Sequence, residues 1–406
     1  MGYQFDLAAQ RRLETYFDEI GAILANRRRR AAFAAYGLGL LSDLDRKSAE
    51  PIAAMVCPDP EEVDAMHQRL LHFAGQAEWS DDEVRGHAAR HVVDAMTEHE
   101  PIESWIIDDT GFLKQGKHSV GVQRQYTGSA GKVTNCQLGV SLSLATRTMH
   151  APVDFELYLP RLWTDDLERR REAKIPDEVE FKTKPELGLQ MIDRALKAGL
   201  PPGITLADTA YGNSSEFRAG LRSRGLRYGV DVESRTKVWR VDSLGRKNGK
   251  PLTIKRLVKR LGIRRFRRVT WREGTKGEMW SWFAKCRVIP WRENRFVEQP
   301  EPVWLLVEWP PDETEPTKFT LVTLPKSTST KQLVRLTRQR WRTEQTYRDM
   351  KEELGLDHFE GRRYRGWHHH VTVALCCYSF VAAEQARSFS PSAGGKTRHR
   401  SERPAA

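Results

Sequence analysis

Two short apolar runs in this 406-residue chain each stop on an aspartate: Trp105-Ile106-Ile107-Asp108 and Ile204-Thr205-Leu206-Ala207-Asp208. Short runs of this kind, rich in β-branched residues, read as buried strands. A strand that buries its body and ends on a carboxylate delivers that charge to the rim of a sheet. Two such strands, about a hundred residues apart, therefore constrain the chain to a sheet with acidic groups at one edge.

The intervening segments supply the order. Residues 119–126 and 136–145 alternate or run β-branched and apolar, with Gly128 and Gly131 in the turn between them. Residues 155–159 are again extended. Residues 166–174 and 185–198 read as helices. After the second aspartate strand come Tyr211-Gly212, a helix at 214–223 and a strand at 226–232. Three strands, helix, strand, helix, strand and then helix is the order of an RNase H-like α/β domain.

The flanks differ in character. Residues 1–98 read as a helical N-terminal DNA-binding domain, with helices at 11–25, from Asp59-Pro60 to about 73, and at 81–97 behind a Ser80/Glu83 capping spacing. The run Arg27-Arg28-Arg29-Arg30 suits phosphate contacts, and a solvated charge run is the plain alternative. Residues 99–232 form the first part of the α/β core. Residues 233–316 hold most of the tryptophans, and residues 254–272 hold nine Lys or Arg and no acid. This block reads as a β-rich insertion that interrupts the core. Residues 317–387 return to the core and end in an amphipathic helix from about 367, and residues 388–406 read as a disordered tail. The fold class expected is α/β: a mixed-sheet core, a mainly β insertion and an N-terminal helical domain.

Composition narrows the function. The net charge of +12 favours a polyanionic partner, and nucleic acid is the usual one. Five cysteines without Cys-x-x-Cys spacing argue against both a disulfide framework and a structural zinc site. There is no signal pattern and no run of roughly 18 apolar residues, so a soluble cytoplasmic protein with no membrane partner is expected.

Residues 335–354, RLTRQRWRTEQTYRDMKEEL, scan as one helix without Gly or Pro, capped by Ser329 or Thr330 and stopped at Gly355. Arg340, Glu344 and Lys351 fall within an arc of about 40° on such a helix. Taken alone this is a salt-bridge face. With Asp108 and Asp208 on neighbouring strands, Glu344 becomes a third converging carboxylate. Like charges in one place call for cations, and hard oxygen donors suit Mg²⁺ or Mn²⁺. Two such ions would activate a water or 3′-hydroxyl and stabilise the leaving oxygen of a phosphodiester.

With those residues in view, the chain resembles bacterial insertion-sequence transposases of the DDE superfamily, across roughly residues 100–380. The segments IIDDTGFLKQGKHSVGVQRQY, DFELYLPRLWTDD, EFKTKPEL, LADTAYG and RWRTEQTYRDMKEELGLDHFEGR carry the resemblance. It implies Asp108, Asp208 and Glu344 as catalytic ligands of two Mg²⁺ or Mn²⁺ ions. It implies phosphate contacts at Arg340 and Lys351, cleavage at terminal inverted repeats, transfer to target DNA, and a homo-oligomer, often a dimer, that works at the nucleoid. Strand alternation leaves both Asp108 and Asp109 open as the first ligand, and the family pattern favours Asp108. Many members carry Tyr three residues before the Arg, where this chain has Thr337. Further DNA contacts are expected from Arg348, Lys114, Lys117, Arg124, Arg28, Arg29, Arg264, Arg265 and Arg267. The alternatives are an RNase H-like nuclease without strand transfer and a catalytically silent, transposon-derived DNA-binding protein.

Some features point elsewhere and are set aside. Residues 111–118 nearly spell a nucleotide-binding loop, but His118 replaces the required Ser or Thr and no helix pattern follows, so no nucleotide cofactor is expected. His368-His369-His370 read as a surface helix start, Cys376 and Cys377 as core, and Trp341 as core on another face of its helix.

Overall fold

The computed structural model describes residue 3 and residues 5–274, 277–296 and 300–388. The tail beyond 388 lies outside the described residues. Five helices lead: α1 (Leu7–Leu24), α2 (Arg27–Leu41), α3 (Ala49–Val56), α4 (Pro60–Gly75) and α5 (Asp81–Thr97). Asn26, Asp59 and Ser80 cap α2, α4 and α5 by accepting from backbone N–H groups in the first turn. The expected first, second and third helices are thus present, and α2 and α3 are additions. The arginine run is the first turn of α2, where cations oppose the helix dipole.

Then follow β1 (Ser104–Leu113), β2 (Gln123–Thr127), β3 (Lys132–Ala145), β4 (His150–Tyr158), α6 (Arg161–Thr164), α7 (Leu167–Ala173), α8 (Lys184–Lys197), β5 (Ile204–Ala207), α9 (Thr209–Gly212), α10 (Ser215–Ser223) and β6 (Tyr228–Asp231). β3 pairs antiparallel with β1, and both β2 and β4 pair with β3. β5 and β6 then add in parallel beyond β1. Residues 119–122 form a turn, so the second strand begins later than expected.

The next block is β7 (Lys237–Val241), β8 (Lys247–Thr253), α11 (Ile254–Leu261), β9 (Arg267–Gly274), β10 (Gly277–Pro290), β11 (Val303–Trp309) and β12 (Lys318–Val322). β12 pairs antiparallel with β6, and β11, β10, β7 and β8 continue outward in one mixed sheet, with β9 on β10. The chain ends in α12 (Thr330–Thr337), α13 (Trp341–Leu354) and α14 (Tyr364–Ser388). The expected single helix at 335–354 is interrupted by a 3-10 turn at Arg338–Arg340. Ser329 caps α12 in a full capping box with Gln332, and Gly355 ends α13 at φ 62°.

Helices cover both faces of the core sheet. Gly188 of α8 packs on Ile107, on one face. On the other, Tyr347 of α13 hydrogen-bonds Ser141 of β3 at 2.6 Å, and Trp367 of α14 lies against Gly139. α14 is not the amphipathic surface helix that its residues suggest. Every residue from Gly366 to Ala383 is buried, because α1, α2, α4 and α5 wrap it on the side away from the sheet. Cys376 and Cys377 are core residues, as expected. Among the described residues no helix is long and apolar enough to cross a membrane.

Candidate active site

The parallel ladder of the core sheet stops at one level. Ile107 pairs with Ala207, and Ala207 with Val230. The next residue on each strand is an aspartate: Asp108, Asp208 and Asp231. Three carboxylates thus stand at one level where the parallel ladder ends, the rim at which open α/β sheets present their ligand crevices. Asp108 does not end its strand, because β3 continues alongside β1 as far as Leu113. It marks the point where β1 loses β5 as a neighbour. Asp208 leaves its strand and caps α9, accepting from Ala210 N at 2.8 Å.

Asp108 is buried, and burial pushes its carboxyl up to about 7, with Asp208 and Asp109 adding to the effect. Arg340 opposes this, its Nη1 donating to Asp108 Oδ2 at 2.9 Å. Burial also works against the charge on Arg340, but Asp108, Asp231, Asp208 and Glu344 together hold the guanidinium above its ordinary range. Asp231 is raised by burial, and Arg340 and a hydrogen bond from Thr320 Oγ1 at 2.7 Å pull it back. Asp108, Asp231, Asp208 and Glu344 all act on Arg340, and Arg338 also acts on Asp231, so acidic groups outnumber the guanidiniums at this rim.

Asp109, the alternative first ligand, points to the opposite side of β1. Lys184 Nζ reaches it at 2.6 Å and Tyr211 OH at 3.2 Å. Its charge is already answered there, while that of Asp108 is shared with the carboxylate row. Glu344 lies exposed in the first turn of α13, close enough to act on Arg340 electrostatically. Among the described residues no three His, Cys, Asp or Glu side chains form a group that could hold a metal ion. The donor chemistry of Asp108 and Asp208 nonetheless fits a hard divalent cation, because adjacent, partly desolvated carboxylates need positive charge and offer only oxygen.

The basic residues divide. Lys351 Nζ donates to Gly111 O and Lys114 Nζ to Phe359 O, both at 2.6 Å, so these two lysines tie backbone together. Arg348, Lys117, Arg124 and Arg28 are exposed, and Arg29 is half-exposed. Arg264, Arg265 and Arg267 are exposed between α11 and β9, with Arg267 also donating to Arg264 O. Beside Thr209, which follows Asp208, a cavity of about 870 Å³ opens toward α11, lined by Arg235, Lys255, Lys259, Phe266 and Trp309. Glu233 and Glu315 also line it.

Two expectations are corrected. Trp341 is 38% exposed, with the Arg272 guanidinium stacked 4.1 Å from its ring centre, because it lies on the face of α13 away from the buried Thr343, Tyr347 and Met350. His368, His369 and His370 are buried. His369 faces the carbonyls of Phe73 and Ala74, and His370 sits between Tyr36 OH and the carbonyls of Gly355 and Leu356. Residues 111–113 continue β1. Trp304 of the insertion is buried, while Trp282 and Trp291 are exposed.

Asp231 escaped the sequence reading, although Tyr228-Gly229-Val230-Asp231 repeats the pattern of a short strand running into an aspartate. Lys184 and Tyr211 were missed as partners of Asp109, since only the fold brings α8 and α9 to β1.

Residues 16–278, more than half of the chain, match the family model described as DDE superfamily endonuclease. The chain belongs to the DDE superfamily. A second model of this superfamily, described as transposase DDE domain, matches residues 183–380, which include Asp208, Arg340 and Glu344. A protein of Microchaete diplosiphon, described as a "probable transposase for insertion sequence element IS701", is 30% identical over 204 residues, covering 50% of this chain and 49% of that protein. The DDE chain thus spans about half the length of the curated relative that it matches.

Proposed function

We propose that this DDE protein is an insertion-sequence transposase that binds the terminal inverted repeats of its element, cuts a DNA strand there and joins the freed 3′-end to target DNA. The observation that carries the reading is the side-by-side placement of Asp108 and Asp208 one residue beyond the parallel ladder. An antiparallel three-strand meander extended by two parallel strands supports an RNase H-like core over residues 99–232 and 317–387. Residues 233–316 then act as its β-rich insertion and residues 1–98 as a helical DNA-binding domain.

Asp108 and Asp208 would hold Mg²⁺ or Mn²⁺, and Glu344 would complete the shell from α13. Two such ions, when bound, supply Lewis-acid activation of a water or 3′-hydroxyl and charge neutralisation at the leaving oxygen. The chain's own residues do the positioning. Asp208 is fixed by its cap on α9, Lys184 and Tyr211 keep Asp109 turned away, and the Tyr347–Ser141 bond seats α13 on the sheet. Arg340 would grip a terminal phosphate, and Lys351 would hold α13 to β1 while standing on the same side. Exposed Arg264, Arg265 and Arg267, with Arg28, Arg29, Lys117, Arg124 and Arg348, would carry the DNA backbone. Action as a dimer on two element ends belongs to the same reading.

The test is an oligonucleotide carrying the element's own end, incubated with Mg²⁺. Cleavage and joined products are expected from the wild-type chain, and Asp208→Asn should abolish both while leaving DNA binding within about twofold. Cleavage without joining would identify a hydrolytic nuclease, and binding without cleavage by the wild-type chain a silent DNA-binding protein.

A further inference from the structure

Asp231 stands in the carboxylate row with no assigned role. Its strand register puts it next to Asp208, Thr320 Oγ1 donates to its Oδ1 at 2.7 Å, and the charges of Arg340 and Arg338 both act on it. Arg340 makes its direct ion pair with Asp108, and Asp231 is the next strongest negative charge that it feels. Arg340 belongs to a 3-10 turn between two helices, a short connection in which a long side chain can swing without unwinding either helix.

We propose that Asp231 is a positioning residue that receives the Arg340 guanidinium when a divalent cation takes Asp108. In the DNA-free chain Arg340 is the resident counter-cation of the site, and metal must displace it from Asp108. Asp231 makes that displacement cheap by offering a second anionic partner on the neighbouring strand. The guanidinium is then held at the rim with its remaining N–H groups free for a phosphate. This inference rests on the metal-site reading above, and the two fail in different ways.

The experiment is a Mn²⁺ titration of the full chain without DNA, followed by the electron paramagnetic resonance signal of free Mn²⁺. Arg340→Gln should tighten Mn²⁺ binding on the order of tenfold, because the competitor is gone, and Arg340→Lys should stay near wild type. Asp231→Asn should weaken binding on the order of tenfold, because Arg340 then holds Asp108 more firmly. In the Arg340→Gln background the same Asp231→Asn change should shift binding by less than about twofold. Asp231→Glu should restore the wild-type affinity. Equal weakening by Asp231→Asn in both backgrounds would overturn the proposal and mark Asp231 as a ligand in its own right. No tightening in Arg340→Gln would overturn it as well, even if Asp231→Asn does not fold. If Asp108→Asn binds Mn²⁺ like wild type, the metal-site reading itself is wrong.

Discussion

Gly212 closes the LADTAYG segment, and its replacement by alanine gives a prediction that can be worked from distances. Gly212 ends α9, the short helix capped by Asp208, and its N–H donates to Asp208 O at 2.7 Å. A Cβ added there would meet the carbonyl oxygen of Asp231 at 1.9 Å, the carbonyl carbon at 2.9 Å and Val230 Cβ at 3.1 Å. Ordinary contact begins near 3.4 Å, so α9 and β6 would have to part by about 1.5 Å (3.4 minus 1.9). The obstruction is backbone on both sides, so no side chain can rotate to relieve it. Overpacking of this kind costs up to about 3 kcal/mol. In a chain of this size that lowers the melting temperature by up to about 3–4 °C. The same displacement shifts Asp208, the cap of α9, relative to Asp108, so Mn²⁺ affinity should fall on the order of tenfold. Differential scanning calorimetry and Mn²⁺ titration measure the two effects. A Gly212→Ala chain that melts within about 1 °C of wild type and binds Mn²⁺ normally would refute the close approach of α9 to β6.

Three other outcomes are expected. Stability should fall with acid because burial lowers His150 to about 3 and His368, His369 and His370 to about 4. The unfolded chain takes up these protons first, so the loss begins near pH 6.5, proceeds at up to about 1.4 kcal/mol per pH unit for each histidine, and levels off below about pH 4. Urea titrations at pH 7.5, 6 and 5 that give one midpoint would contradict it. Arg85→Met should cost roughly 2–3 kcal/mol in urea unfolding, because buried Arg85 is the partner of Asp81 at 2.5 Å and Asp154 at 3.1 Å, and its loss leaves Asp154 to Arg194 alone; a change under about 1 kcal/mol would show that the pair is solvated. Trp341→Ala should cost about 1–3 kcal/mol in urea unfolding, less than the roughly 3–5 of a fully buried core tryptophan, because its ring is 38% exposed and stacks on Arg272; a loss above about 4 kcal/mol would contradict that exposure.

What the sequence made legible was whatever local chemistry decides. Apolar runs stopping on Asp108 and Asp208 marked the rim of the sheet, and Ser329, Asp59, Ser80 and Gly355 marked helix ends, because each acts through neighbours a few residues away. What long-range packing decides was not legible. The turn at Arg338–Arg340 carries no Gly or Pro, and the tertiary pairing of Arg340 with Asp108 accompanies it. The burial of His368–His370 depends on carbonyls of Phe73, Ala74, Gly355 and Leu356, which no local pattern reveals. The pairing of Asp109 with Lys184, which arrives from α8, was not legible either. Asp231 was readable in principle, since Tyr228-Gly229-Val230-Asp231 has the same form as the other two strands.

Anomalous diffraction from crystals of the chain soaked in Mn²⁺ tests most directly whether Asp108 and Asp208 share a divalent cation at the end of the parallel ladder. An anomalous peak is expected about 2.0–2.2 Å from a carboxylate oxygen of each of Asp108 and Asp208. A peak on Asp109 instead, or none at this rim at saturating Mn²⁺, would contradict it.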